Sequence, residues 1–383
     1  MEEKRIIAYK GFDENLCCKG FQYEIGKEYE QEGEIECCRS GFHACINPFD
    51  VLNYYNANGK NRFCEVEQKG IIRTDSYGTK QSSSKIKIKA EIGISGLFKA
   101  GVEWIKEKAN PIAIIKDIEG NRDNPSSDSI QTCSNDCNAK VDSSSDYAQI
   151  SSSGYYDHIS SSGNSTKIGS SGNSAQICSS GDSTQIGSIG NYTKISSSGN
   201  HSQIGSSGYY TKISSSGNST YIGSSGYYTK IDSSGNSTKI GSSGNSAQIC
   251  SSGDSALIGS IGDYTKINSN GCNAQISSSG YYTKISSSGD FAQIGSIGDS
   301  TQISSSGDST QINSTGEYSV ICCAGNNSRV KAKIGSWITL SEWKYSVEKK
   351  RNIPVCVKTE YVDGKRIKED TWYQLINGEF TEI

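Results

Sequence analysis

The chain has 383 residues, a formal net charge of −3 and 33% apolar residues, with 42 Gly. A balance this close to neutral gives no global drive toward nucleic acid or acidic lipid, and the apolar share is low for an ordinary globular domain. No stretch approaches the roughly 18 apolar residues of a membrane span, and the opening MEEKRIIAYK lacks the apolar core of a secretory signal.

Residues 1–120 have globular composition and predict an α+β domain. RIIAY (5–9), RFCEVEQ (62–68) and SKIKIKAEI (84–92) alternate as strands do. Asn47-Pro48 predicts a short helix through Tyr55, with Asn as N-cap and Pro in the first turn. Ser95–Asn110 predicts a longer helix, capped by Ser95, with Phe98, Val102, Ile105 and Ala109 on one face. Its expected role is to cover the first coil of the repeat that follows. Cys17, Cys18, Cys37, Cys38, Cys45 and His43 carry candidate metal-ligating groups. Their spacing is not the paired C-x₂-C of a zinc site, and adjacent cysteines on a strand point to opposite faces, so no metal or other cofactor is expected. Fourteen Cys without an export signal suit reduced thiols and a cytoplasmic location.

Residues 127–331 are a repeat. Ile recurs every nine residues from Ile150 to Ile321 without a miss, Val141 and Val330 extend the series, and weaker units reach back to Ser127. Gly precedes nearly every Ile by five, as at Gly163, Gly172 and Gly181. Such a period over so long a run predicts a β-solenoid rather than a disordered linker. In Gly208–Ser216, Tyr210–Ile213 reads as the strand, with Thr211 and Ile213 inward and Tyr210 and Lys212 outward. Ser-Ser-Gly-Asn reads as the turn, with Gly supplying positive φ and Asn bonding its own backbone.

Two units close one coil of eighteen residues. Tyr156, Tyr192, Tyr210, Tyr228, Tyr264, Tyr282 and Tyr318 are separated by multiples of eighteen, while the alternate units hold mostly Ser. The rings should therefore line one side of a rod of some eleven coils. Tyr192, Lys194, Tyr210, Lys212, Tyr228, Lys230, Tyr264, Lys266, Tyr282 and Lys284 are the candidate binding face. The alternative is a solvated stack that only stabilises the rod. The expected occupant is a host or phage protein, or a second copy of the chain. Nucleic acid is disfavoured because the rod is slightly acidic. Asp182, Asp254, Asp263, Asp290, Asp299 and Asp308 are too irregular for a ladder of calcium sites.

Residues 332–383 predict a β-rich cap, which an open solenoid end requires. Its strands are SWITLSEW (336–343) and PVCVKTEYV (354–362), with hairpin turns at VDGK (362–365) and ING (376–378). The predicted fold is thus mainly β: a central solenoid between an α+β N-terminal domain and a small β cap.

AYKGF (8–12), GFHACINPFDVLNYY (41–55), RFCEVEQKG (62–70), KIGSWITLSEW (333–343) and DGKRIKEDTWYQLINGEF (363–380) resemble a family of uncharacterised bacteriophage and prophage proteins. These combine an N-terminal domain, nonapeptide repeats and a terminal cap. The resemblance implies a phage context, in the cytoplasm of a bacterial host or on the virion, and no assigned activity. Ile stands here where that family commonly has Ala or Thr. The N-terminal motifs are also similar to those of ADP-ribosyltransferases, which would imply NAD or nucleotide binding. On that resemblance Lys10 stands for the motif's arginine, Tyr54 or Tyr55 stacks on nicotinamide, His43 lines the pocket, and Glu65 is the positional match for the acid. The expected function is a non-enzymatic phage-type accessory protein with a scaffold rod. An ADP-ribosyltransferase-like domain is the alternative, and an adhesin-like or ice-interacting array is a second alternative.

Overall fold

The computed structural model describes residues 5–37, 39–55, 61–75, 80–120 and 131–383. It forms two compact units, one ending at Trp104 and the other beginning at Ile105. Ser127, the expected start of the repeat, lies outside the described residues, as do Cys38 and the side chains of Ser95 and Phe98.

The first unit is built on an antiparallel sheet. β1 (Ile6–Phe12) pairs with β6 (Arg62–Thr74), and β6 pairs with β7 (Gln81–Glu91). The far edge of β7 takes both β4 (Glu28–Glu30) and β5 (Phe42–Ala44), and β2 (Cys17–Cys18) and β3 (Phe21–Gln22) form a separate small hairpin. Ala8, Phe12, Cys64, Val66, Ile86 and Ile88 alternate inward to make one core with Tyr23 and Phe42. The expected short helix is a 3₁₀ helix over Pro48–Asn53, and Asn47 caps it by accepting from the Phe49 N–H at 3.1 Å. The longer helix, α1, spans Gly93–Lys108 and runs through the boundary between the units; α2 (Pro111–Gly120) follows it.

The solenoid runs from β8 (Gln131–Ser134) to β30 (Arg329–Lys331) in short strands that alternate between two sheets. Each strand pairs in parallel with the one eighteen residues away, so Ile195 lies beside Ile213 and Ile213 beside Ile231. With β31 (Trp337–Ser346) taking the last parallel place, each sheet has twelve solenoid strands, one more coil than the sequence suggested. At ~4.8 Å per coil the rod is roughly 58 Å long. The isoleucines are 0–2% exposed and form one continuous core. Thr two residues earlier and Ser two residues later also point inward, as Thr211, Ile213 and Ser215 show.

This narrow core is half polar, and many of its hydroxyls are paired, Ser197 and Ser215 being exceptions although Ser202 and Thr220 stand five places on. Ser206 Oγ donates to Thr211 Oγ1 at 3.0 Å, and Thr211 Oγ1 donates to the Gly208 carbonyl at 2.9 Å. The same relay recurs at Ser188, Thr193 and Gly190, and at Ser224, Thr229 and Gly226. Where Ala replaces Thr the relay breaks: Ser170, Ser242, Ser251, Ser269 and Ser287, each five residues before an Ala, have hydroxyls with no partner.

Three details of the coil correct the sequence reading. Tyr210 is not in the strand, which is Lys212–Ser215; it sits at the corner with φ 56°. The left-handed residue is thus the Tyr or Ser two places after Gly. The repeat Gly has ordinary φ and is required for another reason: a Cβ on Gly208 would run into the carbonyl of Gly190, one coil below. The Asn or Asp after Gly bonds across coils rather than to its own backbone. Asn200 Oδ1 accepts from the Asn218 N–H at 2.9 Å, and Asn218 Oδ1 from the Asn236 N–H at 2.8 Å.

The two sheets differ on their outer faces. In one, the residue after Ile is mostly Gly: Gly169, Gly187, Gly205, Gly223, Gly241 and Gly259. There α2 lies across β10 (Gln149–Ser152), β12 (Lys167–Ser170) and β14 (Gln185–Ser188). A Cβ on Gly187 would press on Pro111 and Ile114, and one on Gly205 on the Ala109 carbonyl, so the glycine column makes room for this segment. Ala109 and α2 therefore cover the flank of the rod and not its first coil, contrary to expectation. The other sheet has Ser, Cys, Asn or Asp in that column, and its outward positions are largely exposed.

The cap extends both sheets. β32 (Arg351–Tyr361) folds back antiparallel on β31, while β33 (Tyr373–Ile376) adds antiparallel to β30 and is followed by β34 (Glu379–Glu382). Asn377-Gly378 makes the expected hairpin, with φ 50° and 76°. VDGK does not. It opens a crossing from one sheet to the other, pinned by Asp363 Oδ1 accepting from the Lys365, Arg366 and Ile367 N–H groups. Leu340, Val362, Ile367, Tyr373 and Leu375 close the isoleucine core at this end.

Candidate functional site

The tyrosines fall where the period places them. Tyr192 and Tyr210 stack with centroids 5.2 Å apart and 4° between planes, Tyr210 and Tyr228 at 5.0 Å and 6°, and Tyr264 and Tyr282 at 5.3 Å and 11°. All lie at the corner leading into the open sheet. The sequence reading missed a second column beside them, Tyr155, Tyr209, Tyr227 and Tyr281, which take the Asn/Asp place after Gly; Tyr209 and Tyr227 stack at 5.5 Å. The signal was the recurring Tyr-Tyr pair. Because each ring faces its neighbour, the ladder offers ring edges and phenol hydroxyls outward rather than free faces. That geometry does not favour stacking of successive nucleobases.

Lys194, Lys212, Lys230, Lys266 and Lys284 are exposed in one column of the open sheet, two residues past the ladder tyrosines. Lys230 pairs with Asp232 at 3.5 Å. Among the described residues, Lys194, Lys212, Lys266 and Lys284 have no ion-pair partner. Like charges one rung apart are unfavourable. Asp182, Asp254 and Asp290 sit at the opposite corner, whereas Asp263, Asp299 and Glu317 lie at the tyrosine corner and Asp142 and Asp232 on the open sheet itself. The strands of the open sheet still carry more lysines than acids. Beside the lysines runs a shallow groove of about 1050 Å³ lined by Ser with Cys178, Cys250 and Asp232.

The first unit holds a second candidate, a pocket of about 730 Å³. Phe21, Tyr23, Tyr29 and Tyr54 give it aromatic walls, and Lys19 and Lys80 line it. It brings together three of the four residues singled out through the ADP-ribosyltransferase resemblance: Lys10, His43 and Tyr54, with Tyr55 alongside. Glu65 is not among them. It is paired with Lys89 at 2.9 Å, and Glu30 is the one carboxylate among the described residues that line the pocket.

Lys10 is 5% exposed; its Nζ donates to the His43 carbonyl at 2.9 Å and to Cys18 Sγ at 3.4 Å, and lies 5.4 Å and 5.6 Å from the Phe12 and Tyr23 ring centres. Burial holds its ammonium below the usual lysine range, against the opposing pull of Cys18. Burial, then the positive field of Lys10, Lys80 and Lys19, pushes the His43 imidazole down to about 4. Burial raises the Tyr23 and Tyr55 phenols and pushes the Cys45 thiol up to about 12. Among the described residues no group of His, Cys, Asp and Glu is placed to hold a metal ion. None of their helices is long and apolar enough to cross a membrane.

A protein-family model described as "Domain of unknown function (DUF7666)" matches residues 6–100, which include every residue lining the pocket. No curated protein and no solved structure matches the chain.

Proposed function

We propose that the repeat region is a non-enzymatic, rigid binding scaffold, and that its open sheet with the adjoining tyrosine corner is the face that receives a partner protein. One observation carries this reading. Of the two sheets, one carries the chain's own helix across its early strands, while no described helix lies on the other, which bears lysines, four of them without an ion-pair partner among the described residues, in line with stacked tyrosines. Tyr supplies large contact area at low entropic cost. The lysine column calls for a partner with an acidic face. The phage accessory role and the host cytoplasm rest on the sequence resemblance alone.

The test uses the full chain as bait in a host lysate, beside a variant with Tyr192, Tyr210 and Tyr228 changed to Ser. Serine already occupies this corner at Ser174 and Ser246 with φ 60° and 59°, so the coil accepts it. The scaffold reading expects a specific partner that is lost with the tyrosines and weakened by salt. Capture that is identical for both baits refutes it.

The pocket favours a second reading, in which the N-terminal unit binds NAD or a nucleotide. It is supported by Lys10, His43 and Tyr54 sharing one aromatic cavity, and weakened by the displaced Glu65. A melting shift on adding NAD, or release of nicotinamide, distinguishes it from the scaffold.

A further inference from the structure

Cys17 and Cys18 are neighbours on β2 and point opposite ways. Cys17 Sγ donates to Gln22 Oε1 at 2.9 Å, away from the pocket. Cys18 lines the pocket, and its sulfur is the target of two donors: Lys10 Nζ at 3.4 Å and the Tyr55 hydroxyl at 3.0 Å. Two donors thus converge on one sulfur, one of them an ammonium, and orient it toward the cavity. Cys45 lines the same pocket but is buried, and its thiol is pushed up to about 12, so it is held inert. The pocket around Cys18 is lined by seven Tyr and Phe residues, together with Lys19 and Lys80 and, among the described residues, a single carboxylate, Glu30.

We propose that Cys18 is a nucleophile that reacts through its sulfur as the thiolate while Lys10 and Tyr55 donate to it, and that the pocket accepts a small, ring-bearing anion with an electrophilic acyl carbon. The walls take the ring, and Lys19 and Lys80 take the negative charge. In the step itself the sulfur forms a bond to the acyl carbon. The bond from that carbon to its leaving group breaks, and the leaving group departs with the electron pair and a proton from Lys10. The products are an S-acyl cysteine and the protonated leaving group, with no change of oxidation state. Burial of Lys10 weakens its hold on that proton.

Site-resolved alkylation of the full chain tests this. The protein is treated with limiting iodoacetamide at neutral pH, and each cysteine is followed by peptide mass spectrometry. Cys18 is expected to react about tenfold faster than the more exposed Cys178 and Cys322, despite their better access. Tyr55→Phe, which removes only a hydroxyl, and Lys10→Met should each slow Cys18 by about tenfold. Both should leave Cys178 unchanged, and a melting curve checks each fold. An aryl chloroacetamide bearing a carboxylate should label Cys18 faster than its methyl ester. If Cys18 in the unaltered protein reacts no faster than Cys178, the proposal fails whatever the variants do. It also fails if Tyr55→Phe, folded, leaves the Cys18 rate unmoved.

Discussion

Changing Ala247 to Thr should stabilise the rod, and the reason lies in a gap in its hydroxyl relay. Ser242 Oγ is buried and has no partner, because the residue five places on is Ala247. In the coils on either side, the matching positions are Thr229 and Thr265, which donate to Gly226 at 2.8 Å and Gly262 at 2.7 Å. A threonine at 247 thus has room by direct analogy. It would give Ser242 an acceptor and would itself donate to the Gly244 carbonyl. Each such bond is worth about 0.5–1.5 kcal/mol net, and part of the gain goes to desolvating the new hydroxyl. The expected change is therefore about 1 kcal/mol of added stability. Ala247→Val is the control, since it fills the same space without a hydroxyl. Guanidinium unfolding followed by circular dichroism gives both values. If the Thr variant is no more stable than the Val variant, the relay contributes nothing and the account of the polar core is wrong.

Other perturbations follow from the same geometry. Gly235→Ala would drive a Cβ into the Gly217 carbonyl and should cost about 3 kcal/mol or more. Gly295→Ala meets only the Ile276 carbonyl at 3.9 Å and should be nearly neutral, so thermal melts of the two should diverge sharply. Tyr210→Ser removes two ring stacks and should cost about 1–3 kcal/mol, more than Tyr156→Ser, whose neighbour one coil on is Ser174; equal costs would show that the ladder adds no stability. His43 is held down to about 4 in the fold against 6.5 for the free group, so unfolding takes up a proton between those values. The first unit should keep the whole His43 contribution above pH 6.5 and lose it as pH falls toward 4. His43→Gln should flatten that part of the pH–stability profile, and an NMR titration of the imidazole with its midpoint near 6.5 would contradict the assignment.

The solenoid was legible because its period is rigid. One inserted residue would move every later Ile off the axis, so the spacing of Ile150 to Ile321 encodes the coil directly. The tyrosine corner followed from the same count. The corner's backbone was not legible, because Gly is the usual left-handed residue and nothing local shows that a carbonyl one coil away forbids its Cβ. The difference between the sheets was written in the sequence as Gly at 187, 205 and 223 against Ser at 196 and 214. It reads as tolerance of small residues until a helix is seen to use the space. In the first unit, strands were readable from alternation. The convergence of Lys10 and Tyr55 on Cys18 was not, since it depends on the fold bringing β1, β2 and the 3₁₀ segment together.

The proposition that paired nonapeptides wind once around an isoleucine axis can be tested by one distance. Spin labels placed bio-orthogonally at positions 156 and 318 are nine coils apart along a single corner, so they should give a narrow distribution near ~43 Å. A broad distribution, or a maximum far from that distance, would contradict the coil and the aligned tyrosine face built on it.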